Sequence, residues 1–427
     1  MRTVSKTVIG VDFGTQSARA VLVNAENGEI IYSCRKEYPY DSTPVPAIDC
    51  AENLPCATDY EMTLYELLRN VIPEEYRKTV AGICVDATSL TMVLLAEDGR
   101  ALSELDGWSE AAHARVKLWK YHRAQEKADE ALNLARNLQE PFLGRTGGSI
   151  SCEWMLPKLL EVRDEAPEIY SKIDLAMDLC EFLTFRLTGQ LVRSIGSLSY
   201  KCLWAEDLSF PERTFLNGLR AGFYEEYCHF LRGDVRKPGE CAGMLRSELT
   251  KRWGLPEQIP VATGMLDGHT SLATMGAFEP GDAALIVGTS NVCTVQDRKL
   301  QELKDVCGVA QDGMVTGSCG IDTGQSSTGN MLGWFVEHMA GWQIHREAEE
   351  RKISPHQVLA ERIQKPWENK VIAVDWWSGS RNAPCDLTLR GSMSGLEMDT
   401  KTEDIYLALL QAIACGTGTI LESLSGQ

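Results

Sequence analysis

One short device occurs twice in this chain. An apolar run enters a turn of glycine, threonine and serine, and a second apolar run leaves it. The two copies are VIGVDFGTQSARAVLV at residues 8–23 and ALIVGTSNVCTV at 284–295, about 270 residues apart. Apolar runs flanking a glycine turn read as paired strands. Recurrence over such a distance is most economically a duplicated domain, and 427 residues are too many for one ordinary core. The pattern predicts two similar α/β halves facing each other across a cleft, with one glycine turn on each side.

The segments around the first turn refine this. TVIGV, ARAVLVN and EIIYSC read as three strands of an antiparallel meander, which is not the βαβ opening of a dinucleotide-binding fold. DYEMTLYELLRNVI reads as a helix. VAGICVD and TMVLLAED read as a further strand pair around the turn ATSL. Residues 115–140 are helical in pattern. A helix is expected from Ser151, as its N-cap, through EWMLPKLLEV, with Pro157 inside it. Residues 176–188 read as another amphipathic helix.

The first turn, Asp12-Phe13-Gly14-Thr15-Gln16-Ser17, has the chemistry of a phosphate cradle. Gly14 allows close backbone approach, and Thr15, Gln16 and Ser17 offer N–H and side-chain donors. Asp12 could hold a hydrated Mg²⁺, which prefers oxygen ligands and keeps several waters. A plain hairpin with its hydroxyls satisfied locally is the competing reading. Gly288, Thr289 and Ser290 offer a second cradle. No G-x-x-x-x-G-K-[ST] occurs, which excludes a Walker-type site. Gly416 and Gly418 lack the third glycine of a dinucleotide loop and read as helix-packing residues. In GMLDGHTSLATMGA, Asp267 precedes a helix-like run and lies between the two halves. It could be an N-cap, or a base that takes the proton of an alcohol attacking a γ-phosphate. His269 is a weaker rival for that role.

Composition narrows the class. A net charge of −18 argues against nucleic acid and anionic membranes as partners. No run of eighteen apolar residues predicts a membrane span, and MRTVSKTVIGVD lacks the core of a signal peptide. The 14 cysteines are scattered without zinc spacing and suit a reducing, cytoplasmic setting.

Taken in order, several segments resemble the FGGY family of carbohydrate kinases, and within it the ribulokinases. They are GVDFGTQSARAVLV, LWKYHRA, SCEWMLPKLLE, LTGQ, LSYKCLW, DGHTSLATMGA, LIVGTSN, DTGQSSTGNMLGWFVE, GSRNAPCDLTLRG and DIYLALLQAIACGTG. The resemblance implies two duplicated ribonuclease-H-like (actin-like ATPase) domains, at 1–277 and 278–427, with ATP and Mg²⁺ in the cleft between them. It implies phosphorylation of the terminal hydroxyl of a ketopentose, with Asp267 as the base. Sugar contacts implied by it are Ser89, Trp119, Glu153, Lys201, Asp322 and Gln325, where Asp322 stands for a longer glutamate. Tyr121 occupies a position where relatives carry an aspartate. The chain ends at ILESLSGQ, where relatives continue into a glycine-rich adenosine segment, so an incomplete second domain is expected. The expected partners are a sugar and ATP, with a homodimer left open.

Overall fold

The computed structural model describes residues 6–38, 54–119, 121–364, 368–381, 386 and 388–426. Of the segments quoted above, residues 1–5, on which the signal-peptide reading partly rests, Lys120, residues 382–385, residue 387 and residue 427 lie outside the described residues. The chain opens as β1 (Thr7–Phe13), β2 (Ser17–Asn24) and β3 (Ile30–Glu37), an antiparallel meander with Phe13 opposite Ala18. Alternation puts Ile9, Val11 and Phe13 of β1 in the core. After helix α1 (Ala57–Val71), β4 (Val80–Ala87) lies parallel to β1 and sets Asp86 beside Asp12. Strands Pro260–Ala262 and Cys241–Met244 extend the sheet, and Met265–Leu266 adds to the far end of β4. Helices α1 and Leu179–Thr188 pack in the same core, burying Leu64, Leu68, Phe182 and Leu183. A second apolar cluster gathers α2 (Gln125–Leu138) and α3 (Met155–Glu165).

The other half repeats the plan. Strands Ala283–Val287, Asn291–Asp297, Cys319–Gln325 and Gly308–Gln311 form an antiparallel sheet in that spatial order. Helices Gly329–His338 and Thr402–Gly426 meet in its helical core through Phe335, Tyr406 and Leu409. Within the latter, Thr402–Ser425 is, among the described residues, one stretch long and apolar enough to cross a membrane by length and composition. It is tied to the domain by those contacts and by Thr417, whose hydroxyl donates to Gln325 at 2.7 Å.

Four local expectations are corrected. VAGICVD and TMVLLAED are not partners: Leu90 takes a positive φ of 37°, and Met92–Leu95 turns away to pair with Leu175–Asp178. The 115–140 region is helical only from Gln125, because Lys117 bridges to Met92 instead. The 176–188 segment starts as a strand and becomes a helix at Leu179, where the Asp178 carboxylate accepts the Leu179 N–H. Ser151 is not a cap: α3 begins at Met155, so Pro157 sits in the first turn, where its missing N–H costs nothing. The Ser151 hydroxyl instead accepts the backbone N–H of Glu153 at 3.2 Å.

Candidate active site

The two glycine turns open onto one cavity of about 880 Å³ between the halves. Gly14 and Thr15 line it from one side and Gly288, Thr289 and Ser290 from the other. The first turn closes with the Gly14 N–H on the Ser17 carbonyl at 3.2 Å. Trp119 steadies it by donating its indole N–H to Thr15 Oγ1 at 3.1 Å. The carbonyls of Gly288 and Thr289 are taken by the backbone N–H groups of residues 328–330, at the start of the helix Gly329–His338.

Three aspartates gather at the end of the first sheet. Asp12 ends near the tip of β1, Asp86 is its neighbour on β4, and Asp267 is the first residue of the helix Asp267–Met275. Asp267 is therefore inside the helix rather than its cap, and its Oδ1 accepts the Gly268 N–H at 2.7 Å. Burial raises Asp267 to about 6, against the opposing pull of the Gly268 N–H, and the charge of Asp12 adds to the rise. Asp86 is held well above the carboxylate range, first by burial and then by Asp12 and Asp267. Its Oδ1 is buried without a hydrogen-bond partner.

The remaining wall carries two ion pairs that join the halves. Lys201, the last residue of the helix Ile195–Lys201, lies 3.1 Å from Asp322 in the strand Cys319–Gln325. Burial alone would lower the ammonium and raise the carboxylate. The pairing outweighs it, so Lys201 is raised and Asp322 is held far below the usual range. Arg381 reaches Glu153 at 2.5 Å. Burial would raise Glu153, but Arg381 and His122, at 3.0 Å, hold it near 2. His269 lies 3.6 Å from Asp322, and burial lowers its pKa.

Ser89 and Trp119 line the same cavity, as do Glu153, Lys201, Asp267 and Asp322. Three of the expected residues are not on its wall. Gln16 is exposed, and Ser17 begins β2 with its hydroxyl accepting from Arg35 at 3.0 Å. The Gln325 amide is used inside the second half, donating to Asp375 at 2.6 Å and to the Ile413 carbonyl at 3.0 Å. Tyr121 also faces inward, its hydroxyl donating to Glu161 at 2.8 Å. Sequence reasoning missed Asp86, whose signal was a polar residue ending the apolar run next to β1. It also missed Arg381, which no local pattern marks.

A duplicated α/β pair that turns two glycine loops toward one buried carboxylate has the plan of a phosphotransferase of the actin-like ATPase class. Solved structures carry that fold. A xylulose kinase from Brucella ovis matches with a TM-score of 0.75 at 21% identity, covering 98% of this chain and 79% of that one. A glycerol kinase from Plasmodium falciparum, solved with ADP, matches with a TM-score of 0.74 at 16% identity, covering 99% and 79%. The chain belongs to the FGGY family of carbohydrate kinases: residues 7–274 match the family's N-terminal domain and residues 283–427 its C-terminal domain. A ribulokinase of Mycolicibacterium smegmatis is 36% identical over 434 residues, 98% of this chain and 76% of its own length. One from Halalkalibacterium halodurans is 33% identical over 433 residues, 99% of this chain and 77% of its own. The chain is thus a carbohydrate kinase, of a family that uses ATP as phosphate donor.

Proposed function

We propose that the chain transfers the γ-phosphate of ATP to the terminal hydroxyl of a ketopentose, ribulose being the leading candidate. The observation that carries this is Asp267: a partly buried carboxylate raised toward neutrality, in the cavity that both glycine turns line. In this reading Asp267 takes the hydroxyl proton, a contribution typically worth ~10²–10⁴ in rate. Gly14, Thr15, Gly288, Thr289 and Ser290 would stabilise charge on the transferring group, and Asp12 with the unpartnered oxygen of Asp86 would suit a hydrated Mg²⁺. Bound there, the ion would offset phosphate charge. Ser89, Trp119, Glu153, Lys201 and Asp322 would surround the sugar. Among the described residues, the partly buried cations of the wall, Lys201 and Arg381, are each already paired with a carboxylate, and the exposed Arg136 donates to the Gly148 carbonyl. That balance favours an uncharged sugar over a sugar acid or sugar phosphate. The reduced state of the twelve described cysteines suits the cytoplasm.

The test is coupled ADP release with L-ribulose, D-ribulose, xylulose, ribitol, arabinitol and gluconate. Turnover with a pentulose and none with gluconate is expected. A preference for gluconate would overturn the reading.

A further inference from the structure

The boundary between the domains carries both signs of charge on both sides, and the pairing is crossed. The N-terminal domain supplies Glu153 and Lys201; the C-terminal domain supplies Arg381 and Asp322. All four line the cavity. The Arg381 guanidinium reaches Glu153 Oε1 at 2.5 Å, the same oxygen that His122 holds at 3.0 Å. It also lies 6.0 Å from the centre of the Trp119 ring. Trp119 in turn donates to Thr15 in the first glycine turn. One C-terminal residue therefore touches the sugar wall and, through one indole, the turn of the other domain. Arginine suits this position because its planar fork can bond a carboxylate while lying against an aromatic face. The geometry differs from the other side of the same boundary, where Tyr200 is fully buried with its ring against Gly308 and Gly313 and its hydroxyl on the Gly320 carbonyl at 2.7 Å. That contact is close packing and leaves no room to slide. The Arg381 contact is a single polar bond that can break and re-form.

We propose that Arg381 is a closure latch. It is a positioning residue whose bond to Glu153 draws the C-terminal domain over the sugar and sets Glu153 and Trp119 in place. Its loss should let water compete with the sugar as phosphoryl acceptor. The activity arm of the test rests on the sugar-kinase reading of this cavity; the shape arm does not.

The variants are R381M, R381K and E153Q, compared with the whole chain at matched melting temperature. In steady state, R381M is expected to raise the sugar KM by about tenfold and to release more ADP than sugar phosphate formed, with R381K recovering part of both. In small-angle scattering without ligands, R381M and E153Q should both show a larger radius of gyration than the parent, because R381M removes the guanidinium and E153Q the carboxylate charge that draws it, leaving only a neutral acceptor. Equal radii in all three would overturn the latch, as would an R381M that keeps the parent's sugar KM and its ADP-to-product ratio. A parent chain that phosphorylates none of the sugars would overturn the substrate reading instead, and the scattering comparison would then decide the latch.

Discussion

Asp267 holds two opposed demands in one side chain. As the proposed base it must be ionised, and its rise to about 6 puts the expected acid limb of the pH profile there. kcat/KM should fall by about tenfold per pH unit below that point. For stability the direction is reversed. Between 3.8 and about 6 the folded carboxyl binds more protons than the unfolded one. Its contribution is therefore fullest below pH 3.8 and is lost as pH rises through 6. Above that, the buried charge costs on the order of 2–3 kcal/mol. Asp267→Asn should thus lose ~10²–10⁴ in kcat while keeping sugar binding by calorimetry, and should gain stability at pH 7.5 but not at pH 4. Denaturant titrations at the two pH values check this; a variant less stable at both would refute the assigned burial cost. Asp267 was legible in the sequence because it stands alone between two recognisable halves. Asp86 was not, although it lines the same cavity. Its importance comes from parallel pairing of β4 with β1 across more than seventy residues, and no local pattern carries a register. Arg381 is hidden for the same reason, since its partner lies 228 residues away.

At the scale of elements, one carboxylate joins three pieces of chain. Asp178 caps the helix Leu179–Thr188, accepts the N–H groups of Leu90 and Thr91 at 3.2 Å each, and accepts the Ser197 hydroxyl at 2.8 Å. Burial first, then Glu181, raises it to about 7. It thereby holds the Thr88–Thr91 bend that presents Ser89 to the cavity. Asp178→Ala would orphan several buried donors, at about 3 kcal/mol in all. The expected outcome is a lower urea midpoint together with a raised sugar KM. A stability loss with unchanged KM would mean that the bend is held by other contacts. This junction also shows why boundaries were misread. Leu175 to Thr188 is almost continuously buried, its polar residues included, so no change of face marks the strand-to-helix step. The capping pair Asp178 and Glu181 marks the true start, but both are fully buried, where such residues are seldom expected. The stretch before Gln125 misled in the opposite way. Its helix-like composition yields to tertiary pairing, with Lys117 bridged to Met92 and the carbonyls of Lys117 and Leu118 accepting from Lys158 of α3.

For the whole molecule, the decisive contact is the one that fixes how the halves meet. Tyr200 of the first half enters a slot in the second, where a Cβ added to Gly320 would fall 2.6 Å from its hydroxyl and 2.8 Å from the Met314 side chain. Duplication of the halves could be read from two glycine turns; their docking could not, because it depends on three glycines that meet a single ring from the other half. Gly320→Ala should force the hydroxyl away and strain the boundary by roughly 1–3 kcal/mol. The shift has a direction. His269 packs edge-on against the Tyr200 ring, with centroids 4.6 Å apart, and Asp322 lies two residues beyond Gly320 on the same strand, so the proposed sugar side of the cavity moves first. The sugar KM should therefore rise several-fold while the ATP KM changes little. Tyr200→Phe removes the clashing oxygen but also its bond to Gly320, at about 1 kcal/mol. The double variant should accordingly be less impaired than the two single losses added together, with a coupling of about 0.5–3 kcal/mol. Additive losses, or equal rises in both KM values, would show that the halves are registered by some contact other than Tyr200.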